Sequence, residues 1–292
     1  MFGKLTKVKI LILIGLVIGL LLKSESVVDY LKPYDETIPH EDTKILVHKD
    51  KNEDKQEKYE VQSKIAIMIL NLGLEKETLE LAKTLDKKIE FGLSIYTDNL
   101  NQVSRDILND QRSLSLLLPT QSINSSLNDP GPTALLASGK IADNSKKFQS
   151  VISKLPSKEA GLYLNYDSIF TTRKDQAANI IRMLEDYSDG FKFFAYYDSD
   201  NSKFLTKLLE SSTIKSKAVV ISRILDSSLT QKDIVESLNN LAELSLLRNE
   251  VVIGAISPTK LSITTLNEWL QSQGDKVQLF SIEEILQQRR KN

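Results

Sequence analysis

From residue 64 onward, short apolar runs alternate with longer amphipathic stretches, and no other feature restricts the fold of this chain as much. Candidate strands fall at 64–70, 89–95, 114–118, 161–165, 191–196, 218–221, 251–256 and 277–280. Each is apolar at successive positions, so both faces need burial, as in a parallel sheet covered by helices. Between them Ala177, Ile180, Ile181 and Leu184 fall at helical spacing, and Ile234, Leu238, Leu241 and Ala242 form a second stripe. Thr172 with Asp175, Thr230 with Asp233 and Ser281 with Glu284 have the spacing of helix-start boxes or a near variant. About seven to eight strands, each followed by a helix, predict an α/β chain closed into a (β/α) barrel. An open doubly wound sheet is the alternative. It is weakened because no Gly-x-Gly-x-x-Gly follows the first strand. No internal repeat is visible.

Residues 1–23 have a different character. Lys4, Lys7 and Lys9 precede an unbroken apolar run over 10–22, closed by Lys23. As a helix rising about 1.5 Å per residue the run covers roughly 20 Å. That is short for a full span, but flanking lysines extend such a segment by snorkelling. A single-pass membrane anchor is predicted. Ser24-Glu25-Ser26 keeps a cleaved signal segment as the alternative. Both place the basic N-terminus inside and export the remainder. Residues 24–62, with Pro33, Pro39 and a mixed charge run over 49–55, predict a flexible linker. The folded region is expected over 63–288.

Composition removes several functions. The 38 basic and 39 acidic residues nearly cancel, so there is no electrostatic footprint for nucleic acid. Cysteine is absent, which excludes a thiol nucleophile, a disulfide framework and a Cys-based metal site. The only histidines, His40 and His48, lie in the linker. The barrel therefore has no imidazole for a conventional catalytic metal, and no cofactor is expected.

Three stretches stand out on this scaffold. Ile65-Ala66-Ile67-Met68-Ile69-Leu70-Asn71-Leu72-Gly73-Leu74 is a strand running into a turn. Leu118-Pro119 is followed by Asn128-Asp129-Pro130-Gly131-Pro132. Gly254-Ala255-Ile256-Ser257-Pro258 closes a late strand. In this order they resemble the divergent polysaccharide deacetylase family, a branch of the NodB-like carbohydrate esterases. Its members typically read Ile-Asp-Asp-Leu-Gly, His-Leu-Pro, Asn-Asp-Pro-Gly-Pro and a late Gly-His-Pro. The resemblance covers roughly Lys64 to Leu286 and implies a distorted (β/α) barrel. It also implies a divalent ion held by Asp and His, which makes a bound water nucleophilic. Here Leu70-Asn71 stands for the Asp pair, Leu117 for the third-strand His and Ala255 for the late His. Deacetylase ancestry without its metal site is the expectation.

The strand ends of such a barrel carry its function. They are expected to present Asn71, Tyr96 to Asp98, Gln121, Asn165 to Asp167, Tyr196 to Asp198, Arg223 and Ser257. Each also has a purely structural reading: Asn71 as a turn residue, Thr97 and Asp98 as helix caps, Asp129 as a turn fixer, and Tyr163, Tyr166, Tyr196 and Tyr197 as packing residues. Taken together, Asn71, Gln121, Asn165, Asp167, Tyr196 and Arg223 are the predicted contacts to an envelope glycan. Recognition by stacking and neutral hydrogen bonds would be weak and nearly independent of salt. A protein-interaction or scaffold role in the envelope is the second reading. A metal-free glycoside hydrolase is the third and would need two carboxylates about 5 to 10 Å apart, from Asp98, Asp167 and Asp198.

Overall fold

The computed structural model describes residues 62–126, 128–197, 203–226 and 230–291. The predicted anchor, the linker up to residue 61, both histidines and Asp198 lie outside the described residues. No helix among the described residues is long and apolar enough to cross a membrane.

Strands β1 (Ser63–Leu72), β2 (Glu90–Leu93), β3 (Leu114–Leu118), β4 (Gly161–Leu164), β5 (Phe194–Tyr197), β6 (Ala218–Ile221), β7 (Arg223–Ile224) and β8 (Val252–Ile256) form one parallel sheet. Their spatial order is β6-β5-β4-β3-β2-β1-β8-β7. Helices α1 (Lys76–Ala82), α2 (Leu100–Asn109), α3 (Ile141–Ile152), α4 (Ile169–Thr172), α5 (Lys174–Asp186), α6 (Lys203–Leu209), α7 (Gln231–Arg248), α8 (Lys260–Gln273) and α9 (Ile282–Lys291) connect the strands and cover them. Every predicted strand is present, and β7 is an addition. Only Ser222 separates it from β6, and the Ser222 N–H donates to the Ile253 carbonyl at 2.8 Å. One piece of chain therefore pairs first with β5 and then with β8, and the sheet becomes a nearly closed eight-stranded parallel barrel. The last predicted strand, β9 (Val277–Leu279), stands off this ring and pairs only with the start of β1.

Alternation along β1 shows why both strand faces had to be apolar. Ala66, Met68 and Leu70 point into the barrel, where they join Leu117, Tyr163 and Ala255. Ile65, Ile67 and Ile69 point outward, into the larger cluster shared with the helices. The N-terminal end of the barrel is closed by α9. Its Ile282, Ile285 and Leu286 join the inner cluster, and Arg289 Nη1 donates to the Ala218 carbonyl at 2.7 Å.

Two of the helix-start boxes form as expected. The Thr230 side chain accepts from the Asp233 N–H, and Ser281 and Glu284 cap each other reciprocally. Thr172 is a correction. It ends α4, with its hydroxyl on the Ile169 carbonyl, because Ser168 has already capped that short helix and Arg173 precedes α5.

Candidate functional site

β1 bends before its turn. Asn71 has φ of 57°, a left-handed conformation that asparagine tolerates better than most residues, and the register with β2 shifts between Ile69 and Leu72. Tyr163 on β4 holds this bulge. The Asn71 N–H donates to Tyr163 Oη at 2.8 Å, and the phenol in turn has Asn71 Oδ1 at 3.2 Å and the Gly92 carbonyl at 3.3 Å within reach. The ring fits because position 92 is glycine: a Cβ there would lie 2.9 Å from it. Complete burial pushes the Tyr163 phenol far above its usual range, so it stays a neutral hydroxyl.

Above Tyr163 a cavity of about 230 Å³ opens at the C-terminal ends of β1, β3 and β4. Leu70 and Tyr163 are its buried apolar floor; Asn71, Ser122, Asn128, Asn165, Tyr166 and Asp167 supply its polar wall. The connection after β3 frames one side. Gly131, at φ of 85°, lets the backbone cross Tyr96, where a Cβ would come within 2.5 Å of the phenol oxygen. The Tyr96 hydroxyl donates to the Pro130 carbonyl at 2.8 Å or lies against Thr133 Oγ1 at 2.7 Å. Asp129 accepts the Gly131 N–H at 2.9 Å, the turn-fixing role expected of it. These contacts account for Asp129 and Gly131 in the loop.

Asn165 and Asp167 tie the next connection to the same loop. Asn165 Oδ1 accepts from the Thr120 N–H at 3.0 Å and its hydroxyl at 2.5 Å, while Nδ2 donates to Asp167 Oδ1 at 2.8 Å. Asp167 Oδ2 accepts from Asn128 Nδ2 at 2.9 Å and from the Ser122 hydroxyl. Partial burial works against the Asp167 charge, but the bonds from Ser122, Asn165 and Asn128 outweigh it and hold the acid below the usual carboxylate range. Its three side-chain donors are all neutral. Tyr166, 50% exposed, stands beside it at the rim with its ring open to solvent.

The six predicted contacts divide evenly. Asn71, Asn165 and Asp167 line the cavity; Gln121, Tyr196 and Arg223 do not. Gln121 Oε1 is used by the Ala137 N–H at 2.9 Å, which folds the connection onto itself. Tyr196 is 1% exposed in the outer core with its hydroxyl against Thr206, because the alternation of β5 turns it toward the helices. Arg223 shares the register of Gly254, whose side of the sheet faces Leu241 of α7, so it lies outside the ring. Thr97 caps nothing: buried, it donates to the Ser94 carbonyl at 2.7 Å, and Asn99 opens α2 without a side-chain cap.

Sequence reasoning missed Asp226. It follows the apolar pair Ile224-Leu225, and a lone acid at such a strand end was the available signal. Asp226 is buried, and its Oδ2 accepts from the Ser257 N–H and the Ser262 hydroxyl, both at 2.7 Å. The Tyr166 phenol is pushed up by burial and then by the charges of Asp167 and Asp226, so both carboxylates act on the same ring. Ala255 pairs with Met68 deep inside the barrel, whereas Ser257, immediately before Pro258, stands at the strand end.

A deacetylase-type ion needs imidazole and carboxylate donors around one point. Leu70 and Leu117 supply hydrocarbon instead, Ser257 faces Asp226, and the described residues contain no group of three or more His, Cys, Asp or Glu placed to share an ion. Burying a leucine contributes about 1.5–3 kcal/mol, so these positions now stabilise the inner core. The residues present do not fit the metal.

Comparison with known proteins agrees with the motif order. The profile of the divergent polysaccharide deacetylase family matches residues 67–286. The fold is similar to that of an uncharacterized protein of Agrobacterium tumefaciens C58, with 19% identity, a TM-score of 0.63, and coverage of 77% of this chain and 90% of that one. A candidate polysaccharide deacetylase from Mycobacterium smegmatis aligns over 79% of this chain and 92% of its own at 11% identity, with a TM-score of 0.47. No curated protein matches in sequence.

Proposed function

The chain belongs to the divergent polysaccharide deacetylase family, and from that premise we propose that its barrel mouth binds carbohydrate without deacetylating it, in an extracytoplasmic domain held to a membrane by residues 1–23. The observation that carries this reading is the cavity itself. Amides and a hydroxyl line its wall, an exposed tyrosine ring stands at its rim, and leucines occupy the ligand positions beneath. Such a site offers hydrogen bonds to sugar hydroxyls and a flat apolar face, and it lacks the donors for an activated water.

The test is titration of the full-length protein with cell-wall and exopolysaccharide fragments, together with an assay for acetate release from acetylated fragments in added zinc. Binding is expected at micromolar to millimolar dissociation constants, roughly −8 to −4 kcal/mol, with no acetate released above the buffer rate. Tyr166→Ala should weaken binding about tenfold or more and leave the melting temperature nearly unchanged, since half of that side chain already faces water. Acetate release with turnover would overturn the non-catalytic reading.

A protein partner in the envelope is the second reading. Leu74 and Ile123, 59% and 51% exposed, follow β1 and β3 on the mouth side and would suit an apolar contact. Absence of binding to every glycan, with retention of a protein partner that Ile123→Asp releases, would favour it.

A further inference from the structure

The net charge of −1 hides an uneven distribution. Among the described residues, the connections that leave the C-terminal ends of β1–β4, β7 and β8 contain Glu75, Asp98, Asp129, Asp167 and Asp226, against a single base, Lys140. Lys76, Lys203 and Lys260 stand just beyond, as first residues of outer helices, and Lys260 lies 3.7 Å from Glu77. No lysine or arginine lines the mouth cavity, and no ion pair among the described residues involves Asp129, Asp167 or Asp226. Asp167 is fixed in place by neutral donors, so its charge is oriented but not cancelled. The cavity thus joins an uncompensated carboxylate to an aromatic ring that also feels Asp226.

We infer that the ligand of this cavity is a glycan bearing a free primary amine, an amino sugar in its de-N-acetylated form. This rests on the carbohydrate reading above and adds the charge of the ligand to it. A protonated amine would meet Asp167 and the face of Tyr166 together, the pair of groups that recognises an ammonium. A uronate or phosphate-bearing glycan would meet only like charge. An N-acetylated sugar would keep its ring contacts and lose the ion pair. Nearly salt-independent recognition by neutral groups, expected from the sequence, is replaced by salt-sensitive recognition.

The experiment compares glucosamine oligomers, N-acetylglucosamine oligomers and oligogalacturonate of matched length by calorimetry on the full-length protein. The amine form should bind about tenfold more tightly than the acetylated form, the step from a neutral to a charged hydrogen bond. Its affinity should fall as sodium chloride is raised, and oligogalacturonate should not bind. Asp167→Asn should remove the preference. Should that variant unfold, Asp129→Asn, an exposed site, should reduce it. Equal or tighter binding of the acetylated oligomer, or a preference that survives both substitutions, overturns the amine assignment while leaving carbohydrate binding intact. Failure of all three ligands overturns both.

Discussion

Glu90 is the most unusual single residue in the barrel. It pairs in register with Met68 and is fully buried, with one carboxylate oxygen taken by the Ser113 hydroxyl. The other oxygen and the nearby Ser115 hydroxyl have no hydrogen-bond partner. Burial raises its acid from 4.5 to about 7, with the Ser113 hydroxyl and the charge of Lys192 opposing the rise. A raised carboxyl favours the unfolded chain once that chain ionises. The Glu90 penalty is absent below pH 4.5, grows as pH rises, and levels off above about 7. At about 1.4 kcal/mol per pKa unit it reaches on the order of 3 kcal/mol. Urea unfolding should therefore show stability falling between about pH 5 and pH 8, and Glu90→Gln should flatten that slope and raise stability at the upper end. An unchanged slope in the variant would refute the assignment. Asp167 cannot produce this slope, because its lowered acid titrates below the window.

At the scale of elements, α9 is the piece whose loss should matter most for its length. Its cap is local and reciprocal, so Ser281→Ala should cost about 0.5–2 kcal/mol. Ending the chain before Ser281 would bare Ile253 and Phe280 and abolish cooperative thermal unfolding; a truncated chain that still melts sharply would refute this. The start of this element was visible in the sequence because its cap is local, Ser281 and Glu284 standing three residues apart. The strands were visible because each is a contiguous apolar run, with eight of nine placed to within three residues at either end. β7 was hidden because two residues carry no period, and its strand character comes entirely from β8 beside it. The site was half legible. Asn71, Asn165 and Asp167 lie within three residues of the C-terminal ends of β1 and β4, so their placement follows from strand ends alone. Tyr196 and Arg223 sit within strands, where one residue decides which face a side chain takes, and neighbouring sequence does not state the phase.

At the other end of the barrel from the mouth, Lys158, Lys192, Lys217 and Arg290 share a cleft of about 410 Å³ with Glu159, Asp189 and Glu283. Lys192 bridges Glu159 at 2.9 Å and Glu283 at 3.1 Å there, and so ties β5 to α9. Lys217 donates to the Ser188 and Phe191 carbonyls and covers the Phe191 ring. Its base is held below the usual range by burial, with the charge of Arg290 adding to the shift. Which compartment the barrel mouth faces depends on the N-terminal segment. With Lys4, Lys7 and Lys9 ahead of the apolar run over 10–22, a reporter fused after Asn292 should be active only outside the cytoplasm. Activity of a cytoplasmic reporter at that position would place the barrel on the other side.

The partner change at Ser222 has a consequence for how this barrel can vary. Its contribution there is a backbone N–H on the Ile253 carbonyl, which nearly any residue can supply. Inserting or deleting one residue is another matter. The β5 pairing upstream would hold its phase while the β8 pairing downstream slipped by one, sending Ile224 outward and Arg223 into the oily interior. At the point where the ring closes, the spelling of the chain is free and its length is fixed.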